Sequence, residues 1–194
     1  MPATPGRGHR NPLVAAVAAV ISLSACGQNK AAAPHQEGDV TTIDKDLLPV
    51  GAPAPDFSVV AHDGQAVHLA DLKNRYVVLY FYPHDDTPGC TKEACDFRDS
   101  WDRLQQAGVA VFGVSTQDNV SHQAFAQKYS LPFPLLPDRG GELAAKYHVS
   151  GFMGLTKRVT YLIDKDGRIM HVWPKVKPVG HAADILSVLA VARG

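Results

Sequence analysis

The chain has few cysteines, no net charge and no apolar run long enough to span a membrane. Only three cysteines occur in 194 residues. Cys90 and Cys95 lie close together without a second pair, so the four ligands of a structural zinc site are missing. Four residues separate them rather than two, so the C-x-x-C redox motif is also missing. Lysine plus arginine balances aspartate plus glutamate at 19 each, which leaves no electrostatic case for nucleic acid or anionic lipid as a partner. The apolar run from Leu13 to Ala25 is too short for a mature transmembrane helix. The seven histidines after position 60 show no metal-ligand spacing, such as a pair four apart on a helix, and read as surface or core residues. No internal repeat is present.

What remains is a chain with 45 % hydrophobic residues, enough for one real core, organised around Arg75 to Arg98. Tyr76 to Tyr82 is an unbroken apolar and aromatic run, the pattern of a strand covered on both faces. Pro83 ends it, having no N–H for the ladder. Thr87-Pro88 is a helix start, with Thr as N-cap and Pro at the first helical position. Ala94, Phe97, Trp101 and Leu104 then make one helical face with Cys90 at its head, and Gly108 is the stop signal. A thiol in a first helical turn meets unpaired N–H groups and the positive end of the helix dipole, which favour the thiolate. The alternative is that Cys90 is a small buried hydrophobe.

Cys95 bears on that choice. Five helical steps separate two Cα atoms by about 8.6 Å, whereas a disulfide needs them within about 7 Å. The two sulfurs can bond only if the helix unwinds, which suits a redox cycle better than a static staple.

The segment Tyr82-Pro-His-Asp-Asp-Thr-Pro-Gly-Cys-Thr-Lys-Glu-Ala-Cys-Asp-Phe-Arg98 closely resembles the active-site segment of the peroxiredoxins, nearest to the bacterioferritin comigratory protein or peroxiredoxin Q type. His84 departs from it, since that subgroup commonly carries lysine there. The resemblance continues in Gly113-Val-Ser115, Leu131 to Leu136 and Arg158 to Asp164, and covers Val50 to the C-terminus. It implies an α/β, thioredoxin-like fold, a central mixed sheet with flanking helices. It also implies a thiol-dependent peroxidase with Cys90 as peroxidatic and Cys95 as resolving cysteine. In this scheme Thr87 contacts the peroxide, Pro83 walls the pocket, and Arg158 faces the thiolate. A hydroperoxide is the substrate, a Cys90–Cys95 disulfide the intermediate and a thioredoxin-like protein the reductant, with no metal or haem. Glu93 is expected to be a structural partner for an arginine. A thioredoxin-type oxidoreductase acting on protein thiols and a non-catalytic binding module are the rival functions.

Before this domain come two other segments. Residues 1–25 have a positive start (Arg7, Arg10) and an apolar stretch, as in a secretory signal. Leu23-Ser-Ala-Cys26 resembles a lipobox, which implies acylation at Cys26 and anchoring in a membrane of the cell envelope, periplasmic or extracytoplasmic. Residues 26–49 read as a flexible tether, and 50–194 as the domain. Because Cys95 is in the same chain as Cys90, a monomer is expected.

The rest of the domain follows in order. Phe57 to Val60 and Val67 to Leu69 are weak strand patterns. Val109 to Val114 is a second buried strand, parallel to the first through a βαβ unit. Ser121 to Tyr129 is a helix with Ala124, Phe125 and Lys128 at helical spacing, Leu135-Leu136 a short strand and Gly141 to Tyr147 a short helix. Gly151 to Gly154 is a loop. Val159 to Ile163 and Ile169 to Trp173 form a hairpin around Asp164-Lys-Asp-Gly167. His181 to Ala192 is the closing helix, with Ile185, Val188 and Leu189 inward.

Overall fold

The computed structural model describes residues 46–193. The signal segment, most of the tether and Cys26 lie outside the described residues. The packed region begins ahead of position 50. Leu47 is buried, the Asp46 carbonyl meets His148 Nδ1 at 2.7 Å, and Leu48 N–H donates to Tyr161 Oη. Leu47 and Leu48, in the segment read as tether, thus pack against the domain.

A five-stranded sheet carries the fold, in the order β5-β4-β3-β6-β7. Its strands are β3 (Tyr76–Phe81), β4 (Val109–Ser115), β5 (Leu135–Pro137), β6 (Val159–Ile163) and β7 (Ile169–Trp173). β3–β4 and β4–β5 are parallel, while β3–β6 and β6–β7 are antiparallel, so the sheet is mixed. A separate two-stranded ribbon, β1 (Ser58–Val60) with β2 (Ala66–His68), accompanies it. Leu69 leaves the strand pattern and opens a short 3-10 turn, Leu69–Leu72.

Both faces of β3 are covered, which is why its sequence shows no polar alternation. Val77, Leu79 and Phe81 point into a core that includes Tyr147, Tyr161 and Leu136. Val78, Tyr80 and Tyr82 point into the opposite core with Phe97, Phe125, Leu135 and Ile185. The helices over this second face are α1 (Pro88–Asp99), α2 (Trp101–Gln106), α3 (Asn119–Tyr129) and α5 (His181–Arg193). Short α4 (Glu142–Lys146) packs Leu143 and Ala144 on the first face.

Three local expectations need correction. The single helix from Cys90 to Gly108 is two, parted at Ser100, whose φ/ψ of −100°/6° leaves helical geometry. The inward stripe of α3 is His122, Phe125 and Ala126, with Ala124 exposed; the helix starts earlier because Asp118 caps it, its Oδ1 accepting from Ser121 N–H at 3.0 Å. Thr87 does sit at the N-cap position of α1, with extended backbone and Pro88 after it, yet its side chain makes no capping bond. Its hydroxyl instead donates to the His84 carbonyl at 3.1 Å.

Candidate active site

The C-terminal ends of parallel β3 and β4 and the start of antiparallel β6 share one edge of the sheet. Register pairs Phe81, the last residue of β3, with Val159, the first of β6. Arg158 therefore stands beside the Tyr82-Pro83 turn that leads to α1. Thr156 strengthens this junction by donating its hydroxyl to the Tyr82 carbonyl at 2.5 Å.

Cys90 is the third residue of α1, buried, and a free thiol. The first backbone bond of the helix runs from Thr91 N–H to the Thr87 carbonyl at 2.9 Å, so the Cys90 N–H precedes the ladder. Arg158 Nη2 lies 3.1 Å from Cys90 Sγ, and its Nη1 donates to Glu93 Oε2. One guanidinium thus spans thiol and carboxylate, the fork geometry that lysine lacks. Gly89 makes room for it, since a Cβ there would lie 3.2 Å from Nη2.

Glu93 is fully buried, and its Oε1 has no hydrogen-bond partner. Burial pushes its carboxyl up to about 7, against the opposing pull of Arg158. Burial alone would lower the Arg158 pKa, but Glu93 and Cys90 outweigh it and hold the guanidinium charged. The expected arginine partner for Glu93 is therefore Arg158.

Cys95 lies further along α1, also buried, and is disulfide-bonded in this structure, though not to Cys90. The helix is intact between the two cysteines, and its rise per residue keeps them apart. Pro83 is partly buried at the end of β3, and Thr87 is partly exposed between it and Cys90. The edge thus assembles Cys90, Arg158, Thr87 and Pro83, with Cys95 on the same helix. A cavity of about 540 Å³ elsewhere, lined by residues including His62, Arg75, Trp101 and Phe133, contains none of these. Among the described residues no cluster of metal-ligating side chains occurs.

Several supporting residues escaped the sequence reading. Asp85 is buried and accepts from Tyr82 Oη at 2.7 Å, Ser121 Oγ at 2.6 Å and His122 Nδ1 at 2.9 Å. Burial would raise its pKa, but the bonds from His122, Ser121 and Tyr82 prevail and hold the carboxyl below its ordinary value. The second ring nitrogen of His122 faces the Leu136 carbonyl at 3.3 Å. Next door, Asp86 meets Lys128 Nζ at 2.5 Å and Tyr129 Oη at 2.6 Å. Two consecutive acids thus tie the loop before Cys90 to α3, and the adjacent Asp85-Asp86 pair was the available signal.

Sheet order, helix placement and a reduced thiol on a helix tip together define a redox enzyme of thioredoxin-like fold. The chain belongs to the AhpC/TSA family, which matches residues 50–172, and within it to the Bcp/peroxiredoxin Q group; it is a thiol peroxidase. It is 47 % identical over 150 residues to a Coxiella burnetii chain bearing a peroxiredoxin bcp name, covering 73 % of this chain and 99 % of that one. Peroxiredoxin Bcp of Bacillus subtilis is 42 % identical over 150 residues, covering 73 % and 95 %. The crystal structure of peroxidoxin BcpB from Mycobacterium tuberculosis superposes with a TM-score of 0.70 at 34 % identity, covering 75 % of this chain and 98 % of that one.

Proposed function

We propose that the chain reduces hydrogen peroxide and organic hydroperoxides at Cys90, with Cys95 as resolving cysteine. The observation that carries this reading is the Arg158 Nη2 to Cys90 Sγ contact of 3.1 Å at the head of a helix. A fixed cation and the helix N-terminus both place positive potential beside the sulfur.

The thiolate attacks the terminal oxygen of the hydroperoxide. A sulfur–oxygen bond forms and the O–O bond breaks. The other oxygen takes up a proton and leaves as water or an alcohol, and Cys90 becomes a sulfenic acid. Arg158, the Cys90 N–H and the Thr87 hydroxyl stabilise the charge that moves across the O–O bond, with Thr87 exchanging its His84 carbonyl partner for the peroxide. Pro83 walls the pocket against water.

The first turns of α1 then unwind and the Cys95 thiol condenses with the sulfenic acid. The new S–S bond displaces hydroxide, which leaves as water with the Cys95 proton. A thioredoxin-like dithiol reduces this disulfide by exchange, so the cycle calls for no metal or haem.

The same reading places the enzyme in the cell envelope, as a monomer held by lipid on Cys26 through the 26–49 tether. The outer compartments are oxidising, so the reductant is a thioredoxin-like protein that works on that side of the membrane.

Mass spectrometry after stoichiometric hydrogen peroxide tests the chemistry. The expected species are a Cys90–Cys95 disulfide in the parent and a trappable Cys90 sulfenic acid in Cys95→Ser. An unmodified Cys90 refutes the mechanism. Radiolabelled palmitate incorporated at Cys26 in the producing cell tests the anchor, and its absence from Cys26 removes that assignment.

A further inference from the structure

We propose that Asp96 and Asp85 are positioning residues for the resolving step, clamping the two ends of the segment that melts, so that unwinding runs from Thr87 to Cys95 and stops there. This rests on the Cys90–Cys95 disulfide proposed above.

The two halves of α1 are held by different means. Beyond its backbone bonds and the burial of Cys90, Glu93 and Ala94, the first half is held from outside by Arg158, which contacts Cys90 Sγ and Glu93. Pro88 and Lys92 are exposed, and Gly89 and Thr91 are half-buried. Once Cys90 is a sulfenic acid, the sulfur that Arg158 faced is changed, and this half keeps only the Glu93 arm of that tether.

The second half keeps its hold. Phe97 is fully buried against the rings of Tyr80, Phe133 and His181. Asp96, directly after Cys95, is buried and accepts from the backbone N–H groups of Gly180 and Ala182, each at 2.8 Å. These amides begin α5. Gly180 sits at φ 86°, a conformation that favours glycine, and opens the helix with its carbonyl accepting from Asp184 N–H. A glycine has no side-chain oxygen with which to cap its own helix. Asp96 supplies the missing acceptor from another helix, so α1 is joined to α5 one residue beyond the resolving cysteine.

The opposite boundary is the Asp85 network with Tyr82, Ser121 and His122, reinforced by Asp86 with Lys128 and Tyr129. It anchors the loop to α3 just before Thr87. Between the two clamps the chain is free to lose its helix, and Cys95 stays beside a fixed point while Cys90 travels to it. The bond that then forms joins the two sulfurs, breaks the S–O bond of the sulfenic acid and releases water.

Amide hydrogen exchange followed by NMR on the full chain tests the boundaries. On going from the reduced to the Cys90–Cys95 disulfide form, amides of residues 91–95 lose protection, whereas those of Gly180 and Ala182 keep it. Loss of protection at Gly180 and Ala182 together with the first turns of α1 overturns the proposal.

A second readout is how Cys90 partitions between disulfide and sulfinic acid as hydrogen peroxide is raised. Asp96→Asn retains one good acceptor and Asp96→Ala none. The sulfinic fraction is expected to rise several-fold in Asp96→Ala and less in Asp96→Asn, while the rate of the first Cys90 oxidation stays within two-fold. A partition equal to the parent's, or one shifted toward disulfide, refutes the clamp while leaving the disulfide mechanism intact. Absence of the Cys90–Cys95 disulfide in the parent itself refutes both.

Discussion

Arg158 and Cys90 are 68 positions apart in the chain, and Nη2 of the one lies 3.1 Å from Sγ of the other. The pairing of Phe81 with Val159 sets this contact, because it fixes where β6 starts relative to the end of β3. The guanidinium also holds Glu93 through its other nitrogen. A lysine at 158 has one ammonium where arginine has a planar fork. Arg158→Lys is therefore expected to lower kcat/KM for hydrogen peroxide by about 10²–10³-fold, the typical cost of one donor to a charged transition state. Steady-state kinetics with a coupled reductant checks it, and a value within three-fold of the parent's would show the fork to be dispensable.

Gly89 is predicted to matter for a steric reason. A Cβ there meets Arg158 Nη2 at 3.2 Å, close enough to push the guanidinium off the sulfur. Gly89→Ala should reduce peroxidase activity by roughly ten-fold, the rate equivalent of about 1.4 kcal/mol. It should leave thermal stability nearly unchanged, because alanine suits a helix better than glycine. Loss of stability with retained specific activity would contradict this reading.

Glu93 should make stability depend on pH near neutrality. Its carboxyl titrates at about 7 in the fold against 4.5 for the free group. Between these values the folded chain holds the proton that the unfolded chain has released. Stability from this group is thus fully present below pH 4.5 and is lost as pH rises to about 7. A shift of this size corresponds to a change on the order of 3 kcal/mol. Relative to Glu93→Gln, the parent should lose stability across that window, as read by urea unfolding at several pH values. A constant difference between the two proteins would rule the shift out.

Tyr80 and Gly113 form another testable pair. The Tyr80 hydroxyl is buried without a partner, packed where a Cβ on Gly113 would come within 2.6 Å of it. Removing an unsatisfied buried hydroxyl is neutral or favourable, so Tyr80→Phe should match or exceed the parent in urea midpoint. Gly113→Ala should lose about 1–3 kcal/mol through overpacking, the same alanine being also 2.7 Å from Leu135 Cδ2. A destabilised Tyr80→Phe would mean that the hydroxyl has a partner in solution.

Much of the scaffold could be read directly from residues. β3, β4, the β6–β7 hairpin and α5 follow from continuous apolar runs, the Asp164–Gly167 turn and helical spacing. Asp164 Oδ1 indeed accepts from Asp166 and Arg168 N–H within that turn. The start of α1 was also legible, since Thr-Pro is a local signal. The break at Ser100 was not, because no proline or glycine marks it and the apolar spacing continues through it. His122 is another such case. A histidine carries no sign of being buried until the acid that faces it is known, and Asp85 lies 37 positions away.

The sequence by itself determined that a cysteine would head a helix after a buried strand, with a second cysteine too far along that helix to reach it. Those outcomes depend on steps of one to five residues, where backbone geometry is the same in every protein. Tertiary structure alone decided what that helix and its leading loop meet from elsewhere: Arg158 bridging Cys90 and Glu93, α3 holding Asp85, and α5 capped by Asp96. Such contacts depend on strand register and on the docking of helices across the sheet, and no local spacing encodes them.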